Sequence, residues 1–271
     1  MAEPMVSNAP DRNYWPLTRQ RGLRRRYGPD NPLTPLLEAG GLLVSDVFMF
    51  EDDFTLPYSA GAPWTRTAAG AGATAWASLD SPGGTWQALV GTADDNTEAL
   101  FTTALEYFTS NRRPVAITRW GTNTAVAGSR REFGFAAAQA TGGQGLVKAT
   151  PTSNGTDYAV ITRDTDHNTS VDLLTDGGTD AVQLVASSPG ITFATQTWYD
   201  MMIAGNEQKE WRFYIDGVFQ GRAVRGPDVT VTMGLYYCIT NRADLDTGDA
   251  RVDFVRAWQE RVPFSGNAFT T

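Results

Sequence analysis

The sequence predicts an all-β chain, a large antiparallel β-sandwich preceded by an extended N-terminal arm. Three observations predict it. From about Phe50 to Gln259, short runs rich in β-branched and aromatic residues alternate with Gly-rich turn signals. No long apolar period of the helical kind interrupts them. The stretch Trp198–Gly221 contains two such runs that meet at Asp216-Gly217, a dipeptide that supplies the positive φ angles of a tight hairpin turn.

The arm comes first. Residues 1–48 carry prolines at 4, 10, 16, 29, 32 and 35, each of which blocks helix or sheet continuity. Their apolar residues, among them Trp15, Leu23 and Tyr27, follow neither a 2.0 nor a 3.6 period. A short helix at Pro35–Ala39, ended by Gly40-Gly41, is the one local element expected there. So many aromatics need a surface to lie on, either the chain's own body or a partner's.

From Val44 the pattern changes. The expected strands are Ala73–Leu79, Trp86–Gly91, Ala99–Thr109, Val115–Trp120, Arg131–Ala138, Gly145–Ala149, Tyr158–Thr162 and Val171–Thr175. Ala181–Val185, Thr197–Ile203, Trp211–Ile215, Val218–Arg222, Val229–Cys238 and Ala250–Gln259 complete the set. About fourteen strands in about 210 residues need two packed sheets. In the hairpin, Trp198, Asp200 and Met202 alternate with Tyr199, Met201 and Ile203, as in a half-buried strand. The expected organisation is an arm (1–48), a sandwich (49–262) and a C-terminal tail (263–271).

Composition narrows the function. Apolar residues make up 41% of the 271, with 8 Trp, 9 Tyr and 13 Phe, enough to build a core. Cys238 is the single cysteine, so no intrachain disulfide can form, and its apolar strand predicts a small buried side chain. His167, the single histidine, lies in a polar turn. One Cys and one His disfavour nucleophilic triads and zinc sites. No basic segment followed by an apolar run opens the chain, and no run of 18 apolar residues spans a membrane. The expectation is synthesis in a cytoplasm without export. The net charge of −8 is uneven: residues 1–48 hold six arginines against five acids, which leaves −9 for the rest.

The hairpin resembles the concanavalin A-like jelly roll of laminarinase-type glycosidases, laminin-G-like modules and legume-type lectins. The residues that carry the likeness are Trp198-Tyr199 and Phe213-Tyr214-Ile215-Asp216-Gly217, the closing run Val252–Gln259 and the opening run Phe50–Phe54. The resemblance implies the fold and not one activity. The overall order, a basic Pro-rich arm, then Phe50-Glu51-Asp52-Asp53-Phe54 and a cysteine-poor sandwich, also resembles decoration or cement proteins of tailed-bacteriophage heads.

Catalysis of the laminarinase type needs two carboxylates about 5 Å apart, placed on one strand as Glu-x-Asp-x-x-Glu. That spacing is absent. Glu132 falls where such a strand would run, but without the second and third acids. The expectation is therefore that the chain is not an enzyme and takes no cofactor. Asp244, Asp246 and Asp249 form a weak Ca²⁺ candidate, with an acidic surface loop as the plainer alternative.

Arg19, Arg21, Arg24, Arg25 and Arg26 form the one dense charge run, suited to bidentate contact with carboxylates or phosphates. The acidic body opposes duplex nucleic acid. The favoured expectation is docking of the arm on an acidic protein surface, with Trp15, Leu23 and Tyr27 as apolar anchors. In the virion setting the partners would be the major capsid protein and further copies of the chain, most simply a trimer, on the capsid exterior. A lectin-like module that binds host-surface glycans is the alternative. It would need Trp64, Trp76, Trp86 or Trp120 to be exposed. A glycosidase that draws carboxylates from separate strands is the third.

Overall fold

The computed structural model describes residues 47–54, 63–69, 74–79, 84–91, 97–102, 108–122, 128–138, 155–167, 170–178, 183–186, 190–242 and 249–260. Trp15, Arg19, Arg21, Leu23, Arg24, Arg25, Arg26 and Tyr27 of the arm lie outside these residues, as do Pro35–Ala39, Gly145–Ala149 and the tail.

In chain order the strands are β1 (Val47–Asp52), β2 (Thr65–Ala69), β3 (Thr74–Ser78), β4 (Trp86–Leu89), β5 (Thr97–Phe101), β6 (Val115–Thr122), β7 (Ser129–Ala136) and β8 (Tyr158–Asp164). Then come β9 (Asp172–Asp176), β10 (Gln183–Ala186), β11 (Thr197–Gly205), β12 (Trp211–Ile215), β13 (Val218–Ala223), β14 (Gly234–Asn241) and β15 (Asp249–Glu260). A single 3-10 turn, Ser110–Arg112, is the only helical element among the described residues.

The strands form two sheets. The first runs β13-β12-β11-β6-β15-β4-β3. Its long β15 pairs with β4 through Asp249–Val252 and with β1 through Val255–Glu260. The second runs β10-β9-β8-β7-β14-β5-β2. The chain thus folds as a two-sheet antiparallel sandwich, as its alternating pattern predicts.

The β12–β13 turn shows why the local sequence works. Asp216 and Gly217 both take positive φ, 49° and 77°, the geometry that matches the twist of a two-residue hairpin. Other boundaries differ from expectation. Within the expected run Ala99–Thr109, β5 ends at Phe101, Phe108 makes an isolated bridge to Met233, and residues 103–107 lie outside the described ones, while Val229–Cys238 becomes a strand only at Gly234. After Pro227 the chain turns first, with the Val231 amide donating to the Asp228 carbonyl at 3.0 Å. Strand β2 escapes the sequence pattern, because Thr65-Arg66-Thr67-Ala68-Ala69 shows no apolar alternation.

The core fills the space between the sheets and centres on Tyr237 of β14. Its ring meets Phe133 at 4.9 Å, Trp64 at 5.6 Å and Trp120 edge-on at 6.0 Å between centroids. The Tyr237 hydroxyl donates to Thr118 Oγ1 at 2.6 Å, and Thr118 donates onward to the Phe254 carbonyl at 2.7 Å. This relay ties the second sheet to β6 and β15 of the first.

Candidate functional site

Period 2 decides which side chains leave the core. On β11, Tyr199, Met201 and Ile203 point inward, so Trp198 and Asp200 stand on the outer face of the first sheet. Strand register supplies their neighbours. Trp198 lies opposite Gly121 of β6, and Asp200 lies opposite Arg119. On the far side of β6, a bulge between Val252 and Phe254 brings Asp253 of β15 to Arg119.

Gly121 is what lets the indole lie down. A Cβ there would sit 2.6 Å from Trp198 Cε3 and 2.7 Å from Cδ2, closer than real contacts allow. The ring therefore rests on the strand backbone and leaves its other side to solvent. Trp198 is 41% exposed, a large apolar surface for an outward strand position.

Beside the indole is a polar cluster. Arg119 Nε donates to Asp200 Oδ1 at 3.0 Å, and its Nη1 lies 3.7 Å from Asp253 Oδ2. Asp216 closes the group: its Oδ1 accepts the Asp200 amide at 2.9 Å, and its own amide donates to the Asp200 carbonyl at 2.7 Å. The hydrogen bond to Asp200, with the fields of Asp200, Asp253 and Asp216, raises the Arg119 guanidinium above its ordinary value, against the pull of partial burial. Burial raises the Asp253 carboxyl, and the nearby Asp200 charge adds to the shift while Arg119 opposes it. Among the other described charges on this face, Arg256 pairs with Glu51 at 2.6 Å, and Glu210 holds Arg212 at 2.7 Å and Arg222 at 3.6 Å.

The outer face of the second sheet is different. Glu132 of β7 sits in register between Thr162 of β8 and Cys238 of β14. Arg130 Nε lies 3.4 Å from Glu132 Oε1, and its Nη2 donates to Thr240 at 2.7 Å. These residues, with Tyr158 and Tyr236, are fully buried. Burial raises the Cys238 thiol, so it is a small buried side chain rather than a nucleophile. The outward positions on either side of Glu132 hold Arg130 and Gly134, not acids. Asp164 is held by Arg242 at 3.0 Å, and Asp172 by His167 at 2.8 Å.

Several residues expected at a site lie elsewhere. Trp64, Trp76, Trp86 and Trp120 are 1 to 3% exposed and belong to the core, so none offers a face for stacking. Trp120 follows directly from period 2, pointing inward between Arg119 and Gly121. Asp249 is fully buried, and its carboxylate accepts Gln87 Nε2 at 2.8 Å. Its carbonyl accepts the buried Arg131 guanidinium at 3.0 Å, whose burial lowers its pKa to about 9. Asp249 is thus part of an ion network at the sandwich end, while Asp244 and Asp246 lie outside the described residues. Among the described residues no cluster of three or more His, Cys, Asp or Glu could hold a metal. No helix among them is long and apolar enough to cross a membrane. Trp198 was readable as outward from its alternation with Tyr199. Its seat on Gly121 depends on strand register, which the sequence does not reveal.

No family model matches this chain, and no curated protein does. Solved structures do. A glycoside hydrolase family 16 endo-glucanase from Bacteroides ovatus superposes with a TM-score of 0.52 at 10% identity, over 77% of this chain and 99% of the other. A glycosyl hydrolase family protein from Mycobacterium fortuitum gives 0.51 at 15%, over 77% and 98%. Peanut lectin gives 0.51 at 9%, over 79% and 97%. The expectation that the chain is not an enzyme is corrected here. Its fold relatives include glycoside hydrolases, and a missing one-strand motif does not exclude carboxylates drawn from separate strands, as Asp200 and Asp253 are. At these identities the likeness establishes the fold: a concanavalin A-like jelly roll.

Proposed function

We propose that this chain is a carbohydrate-recognition jelly roll that holds a saccharide on the outer face of its first sheet. Trp198 is the stacking platform. The apolar C–H face of a sugar ring matches an indole that is seated on Gly121 and open above. Arg119 and Asp200 stand beside it as adjacent donor and acceptor, the chemistry that reads vicinal hydroxyl groups. The observation that carries the proposal is the exposed indole beside this ion pair. The same fold in a lectin and in glycoside hydrolases agrees with it. The test is a glycan array probed with the full chain and with Trp198→Ala. Binding by the parent that disappears in the variant is expected. Equal signals from both would overturn the proposal.

A second proposal rests on the arm. The arginine run from Arg19 to Arg26, flanked by Trp15, Leu23 and Tyr27, suits an acidic protein surface, as on a phage capsid. Co-sedimentation with capsids that persists unchanged after deletion of residues 1–48 would refute it.

A further inference from the structure

On the carbohydrate-binding proposal, we infer that the Trp198 site selects amino-bearing, cationic saccharides over neutral ones and rejects acidic ones. Three carboxylates, Asp200, Asp216 and Asp253, surround one guanidinium, Arg119, so the group carries a net charge of −2. Elsewhere on this face Arg256 pairs with Glu51, while Arg212 and Arg222 share Glu210 beside Ala204, at the far end of β11 from Trp198. Arg119 is committed to Asp200 at 3.0 Å, whereas Asp253 lies 3.7 Å from the guanidinium and keeps acceptor capacity. An ammonium group on a sugar stacked over Trp198 would meet this negative field and the π-face together. A uronate or sulfate would meet three like charges.

Each contribution is modest at an exposed site. A cation over an indole and an exposed ion pair together give about a three- to thirty-fold preference. Salt near 1 M, with a screening length of about 3 Å, should erase the ionic part.

The test titrates the full chain with three probes at about pH 6, where sugar amines are charged. The probes are a glucosamine tetramer, its N-acetylated neutral counterpart and a galacturonate tetramer. The expected order is glucosamine, then N-acetylglucosamine, then no measurable galacturonate binding. Asp253→Asn should narrow the gap between the first two. Equal affinity for the amine and neutral probes, or tighter galacturonate binding, overturns the charge inference and leaves the carbohydrate proposal standing if binding still needs Trp198. An amine preference that survives both high salt and Asp253→Asn also overturns it. Failure of all three probes, with no other saccharide bound on an array, overturns the carbohydrate proposal itself.

Discussion

Replacing Tyr237 with Phe removes one oxygen from the centre of the sandwich, and the structure sets the cost. The hydroxyl is fully buried, and burial pushes its pKa well above the ordinary tyrosine value, so it remains a donor at any working pH. It donates to Thr118 Oγ1 at 2.6 Å, and Thr118 passes its own proton to the Phe254 carbonyl at 2.7 Å. Tyr237→Phe deletes the first bond but strands no donor, so about 1 kcal/mol is expected. Thr118→Val is worse. It leaves a buried tyrosine hydroxyl and the Phe254 carbonyl both short of a partner, at about 2–3 kcal/mol. The double variant removes the stranded hydroxyl as well and should cost about 1 kcal/mol less than the sum of the two singles. Each kcal/mol corresponds to a midpoint shift of about 2–4 °C in a domain of this size. Urea unfolding followed by tryptophan fluorescence measures all four species. Additive costs, or Tyr237→Phe within about 0.3 kcal/mol of the parent, would refute the relay as a tie between the sheets.

Other variants probe other parts of the fold. A Cβ on Gly134 would stand 2.0 Å from the Ala159 carbonyl oxygen and 2.8 Å from Val160 Cα, both backbone atoms. Gly134→Ala should therefore force β7 from β8 and cost about 3 kcal/mol or more, read as a lowered melting temperature. Asp253 has a folded-state pKa raised by burial, so its ionisation favours the unfolded chain. That group's contribution to stability is full below the unfolded carboxylate value and is lost as pH rises through the folded one. Asp253→Asn should then gain a little stability at pH 7, less than about 1 kcal/mol after solvent screening, with the gain gone at about pH 3. Glu207 behaves oppositely. Its hydrogen bond to Arg113 lowers its pKa, so the contribution is present at neutral pH and fades on acidification. Cys238 is fully buried with its thiol pKa raised, so a thiol reagent should label it only as fast as the sandwich opens. Rapid labelling of the native chain would contradict the burial.

Much of the fold was legible because strands announce themselves locally. Asp216-Gly217 specified its own turn, and the alternation in Trp198–Ile203 divided the strand into its two faces, although Met202, on the face of Trp198 and Asp200, is buried too. Strand β2 was not legible, since threonine, arginine and alanine at a sheet edge leave no apolar period. Val229–Val231 was misread because β-branched residues in a turn look like the start of a strand. The site was harder. Trp64, Trp76, Trp86 and Trp120 are no different in composition from Trp198. What separates them is which strand faces which, and a register of Trp198 on Gly121 joins positions 77 residues apart. Arg119 meets Asp200 across one strand pair and Asp253 through a bulge on the other, and neither contact has a local sequence signature.

Calorimetric titration of the best array glycan into the parent chain, Trp198→Ala and Gly121→Val measures what the indole platform contributes to binding, with Trp120→Phe as a buried-tryptophan control. At least about a ten-fold loss is expected for Trp198→Ala. A comparable loss is expected for Gly121→Val, whose side chain would lift the indole from its seat. Trp120→Phe should retain the parent affinity. Full binding by Trp198→Ala and Gly121→Val, with both variants folded, would contradict the indole platform.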